Sequence, residues 1–537
     1  MMESLSEETW DTVMCGTGLS QSLLALALSR SNKRVLHLDA NDFYGEHEAA
    51  LSLQEVDAWA RAHADTEDTN QPSNRHVSSE NDAGETVAKR TDEEKQTTPL
   101  ISSGTRSSIF RNAQVWRHPD ADGRGLSFPR AYSLALAPQV IYTKSKLLLQ
   151  LVSSRAYKQV EFLAVGSFFV YSEGDIASGP ALARIPNSRE DVFSTQSIPA
   201  RSKRTLMKVL KFVIDYESDE QKSVWQHQAD KPLSEFLVEN FKLEQNLRDS
   251  ILAMTLTLDG NITLKDGLAA IHRHLTSIGL FGPGFCAVYP KWGGISEIAQ
   301  VGCRAGAVGG GTYMLNTPVS MGEPNDSGEI TLKLANEVSI RTTAFITSQQ
   351  ICSTTSHTIS RLVAIVNETF QSLFETFTEG APTPAVVVVA FPSGSLPDDA
   401  QAEPTVPIYA FVHSSDTGEC PAGQSVIYLT MQTTPQSSHL LDTALAALLQ
   451  ATTAPADVLY KLYYEQATSS RQPLTTPQGS ATVFEFPSPP LSLAFDDGSL
   501  DAVQEAWKLI MKGEVIDDAF MQFEDREGMS DDDDVYD

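Results

Sequence analysis

The alternation of apolar and polar positions predicts a mixed α/β chain. A short apolar strand over residues 11–15 (DTVMC) runs into the turn Gly16-Thr17-Gly18-Leu19-Ser20-Gln21, and a Leu- and Ala-rich stretch over 22–29 predicts a helix. The charged turn Asn32-Lys33-Arg34 then leads into a second strand, 35–38, that ends at Asp39. Residues 140–151, 205–215, 233–241 and 246–257 are rich in Leu, Val and Phe and predict a helical sub-bundle. The runs 385–391 and 426–429 predict buried strands, with 438–450 and 500–512 as covering helices. The expected layout is a large α/β domain, built from residues 1–137 and 284–513, around a mainly helical domain at 138–283 that returns some strands to the large one.

Two stretches break the pattern. Between Arg61 and Pro99 the only large aliphatic residues are Val77 and Val87, and there is no aromatic, so this stretch buries too little surface to offset its chain entropy. It predicts a disordered insertion, bounded at 54–100. Residues 514–537 carry eleven acidic groups against one base, Arg526, and close in the run Asp531–Asp534, which predicts an acidic disordered tail.

Charge and cysteine usage narrow the function. Lys and Arg total 40 against 69 for Asp and Glu, a formal charge of −29, which disfavours nonspecific nucleic-acid binding because phosphate neutralisation needs a basic face. Cys15, Cys286, Cys303, Cys352 and Cys420 are scattered, odd in number and without C-x-x-C spacing, so they read as reduced thiols rather than a disulfide framework or a zinc site. The opening MMESLSEETW lacks a basic and apolar leader, and no apolar stretch approaches the length that spans a bilayer; a cytosolic protein touching membranes transiently is expected. His272 and His274 do not aim both rings at one ion from a helix, and no metal is expected. No catalytic triad or Walker A loop is present.

The first turn is the layout in which glycines admit a pyrophosphate to a helix N-terminus and an acidic residue about 20 positions on takes ribose hydroxyls. Gly16, Gly18 and Asp39 fill these places, but Gln21 stands where a third glycine would allow close helix-to-strand contact. The motif reads as a vestigial dinucleotide turn, architecture without a bound cofactor.

The second strand continues through Asp39-Ala40-Asn41-Asp42-Phe43-Tyr44-Gly45 into an aromatic turn. A later block, Tyr289-Pro290-Lys291-Trp292-Gly293-Gly294-Ile295-Ser296-Glu297, runs on through Arg304 to Gly310-Gly311-Thr312-Tyr313-Met314-Leu315-Asn316. Both blocks, in this order and spacing, resemble the Rab GDP-dissociation inhibitor and Rab escort protein superfamily, with likeness over residues 10–53 and 130–320 and a thinner match at 493–510. The segments 186–193 and 204–212, the insertion, the length and the tail resemble the escort branch more than the inhibitors.

The resemblance implies an FAD/NAD(P)-binding-like large α/β domain with an inserted smaller α-helical domain, and no catalysis by this chain. It implies an accessory subunit of Rab geranylgeranyltransferase that binds GDP-bound Rab, presents its C-terminal cysteines to the transferase α/β dimer and delivers the product to membranes. By resemblance Tyr44, Glu297, Arg304, Thr312 and Met314 form the Rab-binding platform, the helical domain houses the geranylgeranyl group, and Phe212 lies in the stretch that docks the transferase. The loop 278–285 departs from the family in lacking its usual basic residue.

Residue chemistry alone leaves blander alternatives. Glu297 and Arg304, seven apart, share one helical face and offer an acceptor and a forked donor, yet such pairs are commonly just solvated. Tyr44 could be a packed turn aromatic, Met314 a core residue, and a Phe on a Leu-rich helix such as Phe212 is more often core. The rival functions are a GDP-dissociation inhibitor that recycles prenylated Rab, a flavin-dependent oxidoreductase, and an inert scaffold.

Overall fold

The structure is a computed structural model and describes residues 3–6, 9–64, 109–174, 181–186, 189–194, 198–324, 329–335, 338–349, 356–396, 406–452, 456–469, 472–478, 481–487, 492–512 and 520–523. A six-stranded sheet begins at an edge with Thr312–Met314 and continues through Val35–Leu38, Thr12–Cys15, Ala344–Ser348, Ala481–Phe486 and Leu474–Gln478. The first five strands are parallel and the last closes an antiparallel hairpin. The helix Leu19–Arg30 joins the two N-terminal strands in a βαβ unit. It is apolar on all sides and accordingly buried, lying between the helices Ile295–Val308 and Gly498–Met511. A four-stranded sheet, Thr9–Trp10, Ser339–Thr342, Ile330–Leu334 and Val319–Pro324, adds Ile330, Leu332 and Ile340 to a core shared with Val13, Leu36 and Leu38.

A ten-stranded sheet forms the second layer. Its order is Phe110–Arg117, Val458–Ser469, Ser356–Val366, Ser425–Gln432, Ile408–Ser414, Val386–Phe391, Phe162–Ser172, Ala287–Pro290 and Ile141–Tyr142, with Ala181–Arg184 paired to Phe162–Ser172. Val386–Phe391 is buried at every position, as a run of aliphatics with both faces covered must be. The helix Ser437–Ala451 packs against Ser425–Gln432 and Ser356–Val366, and its Leu441, Leu445 and Leu448 share a core with Val387, Val389 and Ala410 of one face. Val388 and Phe411 on the other face share a core with Val209, Ile251 and Leu268 of the helices Ala200–Ile214, Gln245–Ala253 and Leu264–Ser277. No helix among the described residues is long and apolar enough to cross a membrane.

Three expectations need correction. The single helix at 140–151 divides into the strand Ile141–Tyr142 and the helix Lys146–Ser153, because the Ser145 side chain caps the helix by accepting from Leu147 N–H at 3.2 Å. The start of the expected disordered insertion is the helix Leu53–Ala62, which buries Leu53, Val56, Trp59 and Ala60 along one side. A reciprocal cap starts it: Glu55 N–H donates to Ser52 Oγ, and Ser52 N–H donates to Glu55 Oε2 at 2.7 Å. The rest of the insertion, 65–100, lies outside the described residues, as does most of the acidic tail. Within the tail, however, Met521 is buried in the core around Trp507, and the Phe520 and Trp507 rings lie 5.2 Å apart. Three apolar residues there, Phe520, Met521 and Phe523, join that core despite the surrounding charge. Cys15, Cys286, Cys303 and Cys420 are buried thiols outside any disulfide, and Cys352 lies outside the described residues.

Candidate functional site

The glycine turn is folded in on itself. Gly16 takes a φ of +98°, which a side chain would strain. Asp39, buried, accepts from Thr17 N–H at 2.8 Å and from the Thr17 hydroxyl at 2.6 Å on one oxygen, and from Asn41 N–H at 2.8 Å and Asn41 Nδ2 at 3.0 Å on the other. Burial pushes the Asp39 carboxyl up, and these donors draw it back. Thr17 Oγ1 also accepts from Gly45 N–H at 3.0 Å. Leu19 N–H, at the open end of its helix, donates to Glu48 Oε2 at 2.7 Å. Gln21 is buried and donates to Ser348 Oγ at 2.7 Å, so the residue at the missing glycine position bridges to the neighbouring strand.

The aromatic turn and the second block meet at this end of the six-stranded sheet. The strand Thr312–Met314 pairs in parallel with Val35–Leu38, and Asp39 N–H, Asn316 N–H and Thr317 N–H donate to Met314 O, Asn41 O and Asp39 O at 3.0, 2.7 and 2.7 Å. Tyr44 is half-buried, and its hydroxyl is pushed up by burial and then by Cys303 of the helix Ile295–Val308. On that helix Arg304 Nη2 donates to Glu297 Oε1 at 2.8 Å, with Arg304 half-exposed and Glu297 mostly covered. Thr312 and Met314 belong to the edge strand but face the other way. Tyr313 between them turns toward the helix, where a Cβ at Gly306 would overlap its hydroxyl, while Met314 packs on Val13, Leu36 and Leu38. Tyr44, Glu297 and Arg304 therefore lie on one side of the edge strand, and Thr312 and Met314 on the other.

Trp292 is a residue whose exposure the sequence did not signal. It is 54% exposed at a φ of +73°, with Ser133 Oγ donating to its carbonyl at 3.0 Å and its own N–H donating to Thr417 O at 2.9 Å. Its ring lies flat on Gly418, where any Cβ would collide with it.

Phe212 is 8% exposed, its ring set against Phe236 at 5.6 Å and Phe241 at 5.4 Å, so the ring itself is core; Ile214 on the same helix is the apolar residue at the surface. His272 and His274 diverge, the first toward Val213 O and the second into the core beside Tyr142 and Phe168. Among the described residues no group of three His, Cys, Asp or Glu side chains could hold a metal ion. A cavity of about 420 Å³ opens between the helical lobe and the large sheet, lined in part by Ile185, Ile198, Leu206, Leu210, Ile251 and Met254.

The family model for GDP dissociation inhibitors matches residues 6–80 and 103–374. The chain belongs to that family. Among curated proteins it is 30% identical over 449 residues to the Rab proteins geranylgeranyltransferase component A of Saccharomyces cerevisiae, covering 82% of this chain and 64% of that one. It is 27% identical over 430 residues to component A of Candida albicans, covering 78% and 58%. A probable secretory pathway GDP dissociation inhibitor 1 of Schizosaccharomyces pombe is 26% identical over 317 residues, 58% of each chain. The chain thus spans about three fifths of the length of these relatives. Among solved structures, Rab GDI from Plasmodium falciparum aligns with a TM-score of 0.61 at 16% identity, over 93% of this chain and 98% of that one. An oxidoreductase from Methanosarcina mazei aligns with a TM-score of 0.53 at 11% identity, over 93% and 99%. These likenesses are of fold, and the fold is the FAD/NAD(P)-binding-like α/β architecture with a helical lobe.

That fold implies a flavin, and the residues at the turn do not fit one. Leu19 N–H is taken by Glu48, Asp39 is saturated by Thr17 and Asn41, and a Cβ at Gly16 would stand 2.8 Å from Glu46 Oε2. A pyrophosphate would meet two carboxylates there rather than free N–H groups.

Proposed function

We propose that this chain is a Rab escort protein, the component A that binds GDP-bound Rab, presents it to the Rab geranylgeranyltransferase α/β dimer and then keeps the lipidated product dispersed until it reaches a membrane. The observation that carries the reading is 30% identity to a protein named component A across 82% of this chain. The geometry supports it. The end of the sheet where a cofactor enzyme binds its dinucleotide carries Tyr44 and the Glu297–Arg304 pair, aromatic, acceptor and forked donor groups suited to a protein surface. Thr312 and Met314 would extend the same contact around the edge strand.

The task needs no chemistry from this chain. Catalysis, zinc and the prenyl diphosphate belong to the transferase, and the escort acts in the cytosol with transient membrane contact. The cavity beside the helical lobe, whose apolar side is set next to polar groups such as Arg184 and Asp249, would hold the geranylgeranyl group, since each buried methylene contributes about 0.8 kcal/mol. The surface of the helix Ala200–Ile214, around Ile214 rather than Phe212, is the place for transferase docking.

A second reading, an inhibitor that recycles prenylated Rab, draws on the match to the Schizosaccharomyces pombe GDP dissociation inhibitor. Reconstituted prenylation separates the two. With unmodified GDP-bound Rab, transferase and geranylgeranyl diphosphate, an escort supports lipid transfer that stops when it is omitted; no transfer with the protein present gives the inhibitor reading instead.

A further inference from the structure

In dinucleotide enzymes the free N–H groups of a helix like Leu19–Arg30 receive a pyrophosphate. Here Glu48 Oε2 sits on Leu19 N–H at 2.7 Å, and a Cβ built on Gly18 would stand 3.4 Å from Glu46 Oε2 and 3.5 Å from Glu48 Oε2. The two carboxylates come from one short 3₁₀ turn, Glu46–Glu48, with the His47 ring beside both, 3.9 Å from Glu46 and 3.7 Å from Glu48. Two acidic groups on one turn stand over the glycines where two phosphates would.

We infer that Glu46 and Glu48 are an internal substitute for a pyrophosphate, closing the glycine turn to dinucleotides and anchoring the segment that carries Tyr44. Only the effect of this anchor on Rab binding rests on the reading of Tyr44 as a contact residue; the closure and the anchor do not.

The anchor is built from residues that in a cofactor enzyme would face the ligand. Gly45, at a φ of +103°, lets the chain double back so tightly that a Cβ there would lie 2.8 Å from Ala49 Cα, and its N–H goes to Thr17. Thr17 is held by Asp39, and Asp39 also holds Asn41. Tyr44 is therefore fixed from its N-terminal side by the Asp39 cluster and from its C-terminal side by Gly45 and the Glu46–Glu48 turn. Without the turn's carboxylates, only one of the two fixings remains. Burial pushes the Glu48 carboxyl up to about 7 while the Leu19 N–H draws it down. In either protonation state one oxygen still accepts from Leu19, so a side-chain amide should serve as well as the acid.

The test compares Glu48→Ala, Glu48→Gln and wild type as full chains, by amide hydrogen exchange, by FAD titration and by affinity for GDP-loaded Rab. Exchange in Glu48→Ala is expected to rise about tenfold in peptides spanning 17–20 and 40–50 and to stay unchanged in the helices 200–277, with Glu48→Gln restoring the wild-type pattern. Rab affinity is expected to fall about tenfold in Glu48→Ala and to return in Glu48→Gln. Wild type takes up no FAD. Saturable FAD binding by wild type, unchanged exchange in Glu48→Ala, or a rise spread over the whole chain would each overturn the inference. If exchange responds as expected while Tyr44→Ala and Arg304→Ala bind Rab like wild type, the anchor stands and the platform reading is the part that fails.

Discussion

Glu419 is fully buried, and its oxygens are claimed by three partners: Tyr289 hydroxyl at 2.7 Å, His413 Nδ1 at 2.7 Å and Tyr428 hydroxyl at 2.9 Å. The cluster lies directly after the 3₁₀ turn Ser415–Thr417 and Gly418, on which Trp292 rests, so it ties the core to the displayed ring. Glu419→Ala is expected to cost about 3–5 kcal/mol, because it strands a buried histidine and two hydroxyls, whereas Tyr289→Phe should cost about 1–2 kcal/mol. Urea unfolding followed by tryptophan fluorescence reads both; equal effects would contradict the cluster. Arg304→Ala should behave oppositely, changing stability by less than about 1 kcal/mol since its ion pair is open to solvent, while weakening Rab binding. The buried histidines set the acid limit. Desolvation lowers His37 and His274 from 6.5 to about 4, so their neutral forms contribute stability above pH 6.5 that is lost as pH falls toward 4, on the order of 3 kcal/mol each. Glu48, raised from 4.5 to about 7, works the other way, losing stability as pH rises through that window, and Asp39, also raised by burial, acts in the same sense. His274→Gln should flatten the decline of the urea midpoint between pH 6.5 and 4; an unaltered slope would count against it. At this scale the glycines, Asp39 and the Glu297–Arg304 pair were legible because spacing carries them. Glu48 on Leu19 and Trp292 on Gly418 were not, since each depends on where a distant backbone places a partner.

Among the elements, the βαβ opening, the aliphatic strand Val386–Phe391 and the helices Ser437–Ala451 and Gly498–Met511 follow directly from hydrophobic periodicity. The helix Leu53–Ala62 was hidden because the polar, aromatic-free stretch that follows it masks a single amphipathic face ending at Trp59 and Ala60. Its capping box makes the start of the helix testable: Ser52→Ala should cost about 1 kcal/mol, read as a lowered urea midpoint, and no change would mean that packing of Trp59 on Phe110 and Tyr464 alone holds the helix. The helix Ile295–Val308 packs on Leu19–Arg30, and its Gly306 leaves room for the Tyr313 ring, since a Cβ there would overlap the Tyr313 hydroxyl. Gly306→Ala must displace Tyr313 or the helix, and it is expected to destabilise by about 1–3 kcal/mol. That helix carries both Glu297 and Arg304, so the same substitution should also weaken Rab binding; a stable variant with full binding would refute the packing argument.

Over the whole molecule, an enzyme-like fold has its dinucleotide turn filled by its own side chains, and the proposed function makes its sheet end a protein contact. The formal charge of −29 over the whole chain favours encounter with a basic partner segment. Association with Rab is therefore expected to slow several-fold between low and high salt with little change in dissociation, by stopped-flow fluorescence; salt-independent association would remove steering from the account. The most direct measurement is a titration of the purified chain with GDP-loaded and GTP-loaded Rab, with Tyr44→Ala and Arg304→Ala in parallel. The account predicts saturable one-to-one binding that favours the GDP form and weakens about tenfold or more in each variant. Equal binding of both nucleotide forms, or variants indistinguishable from wild type, would contradict it.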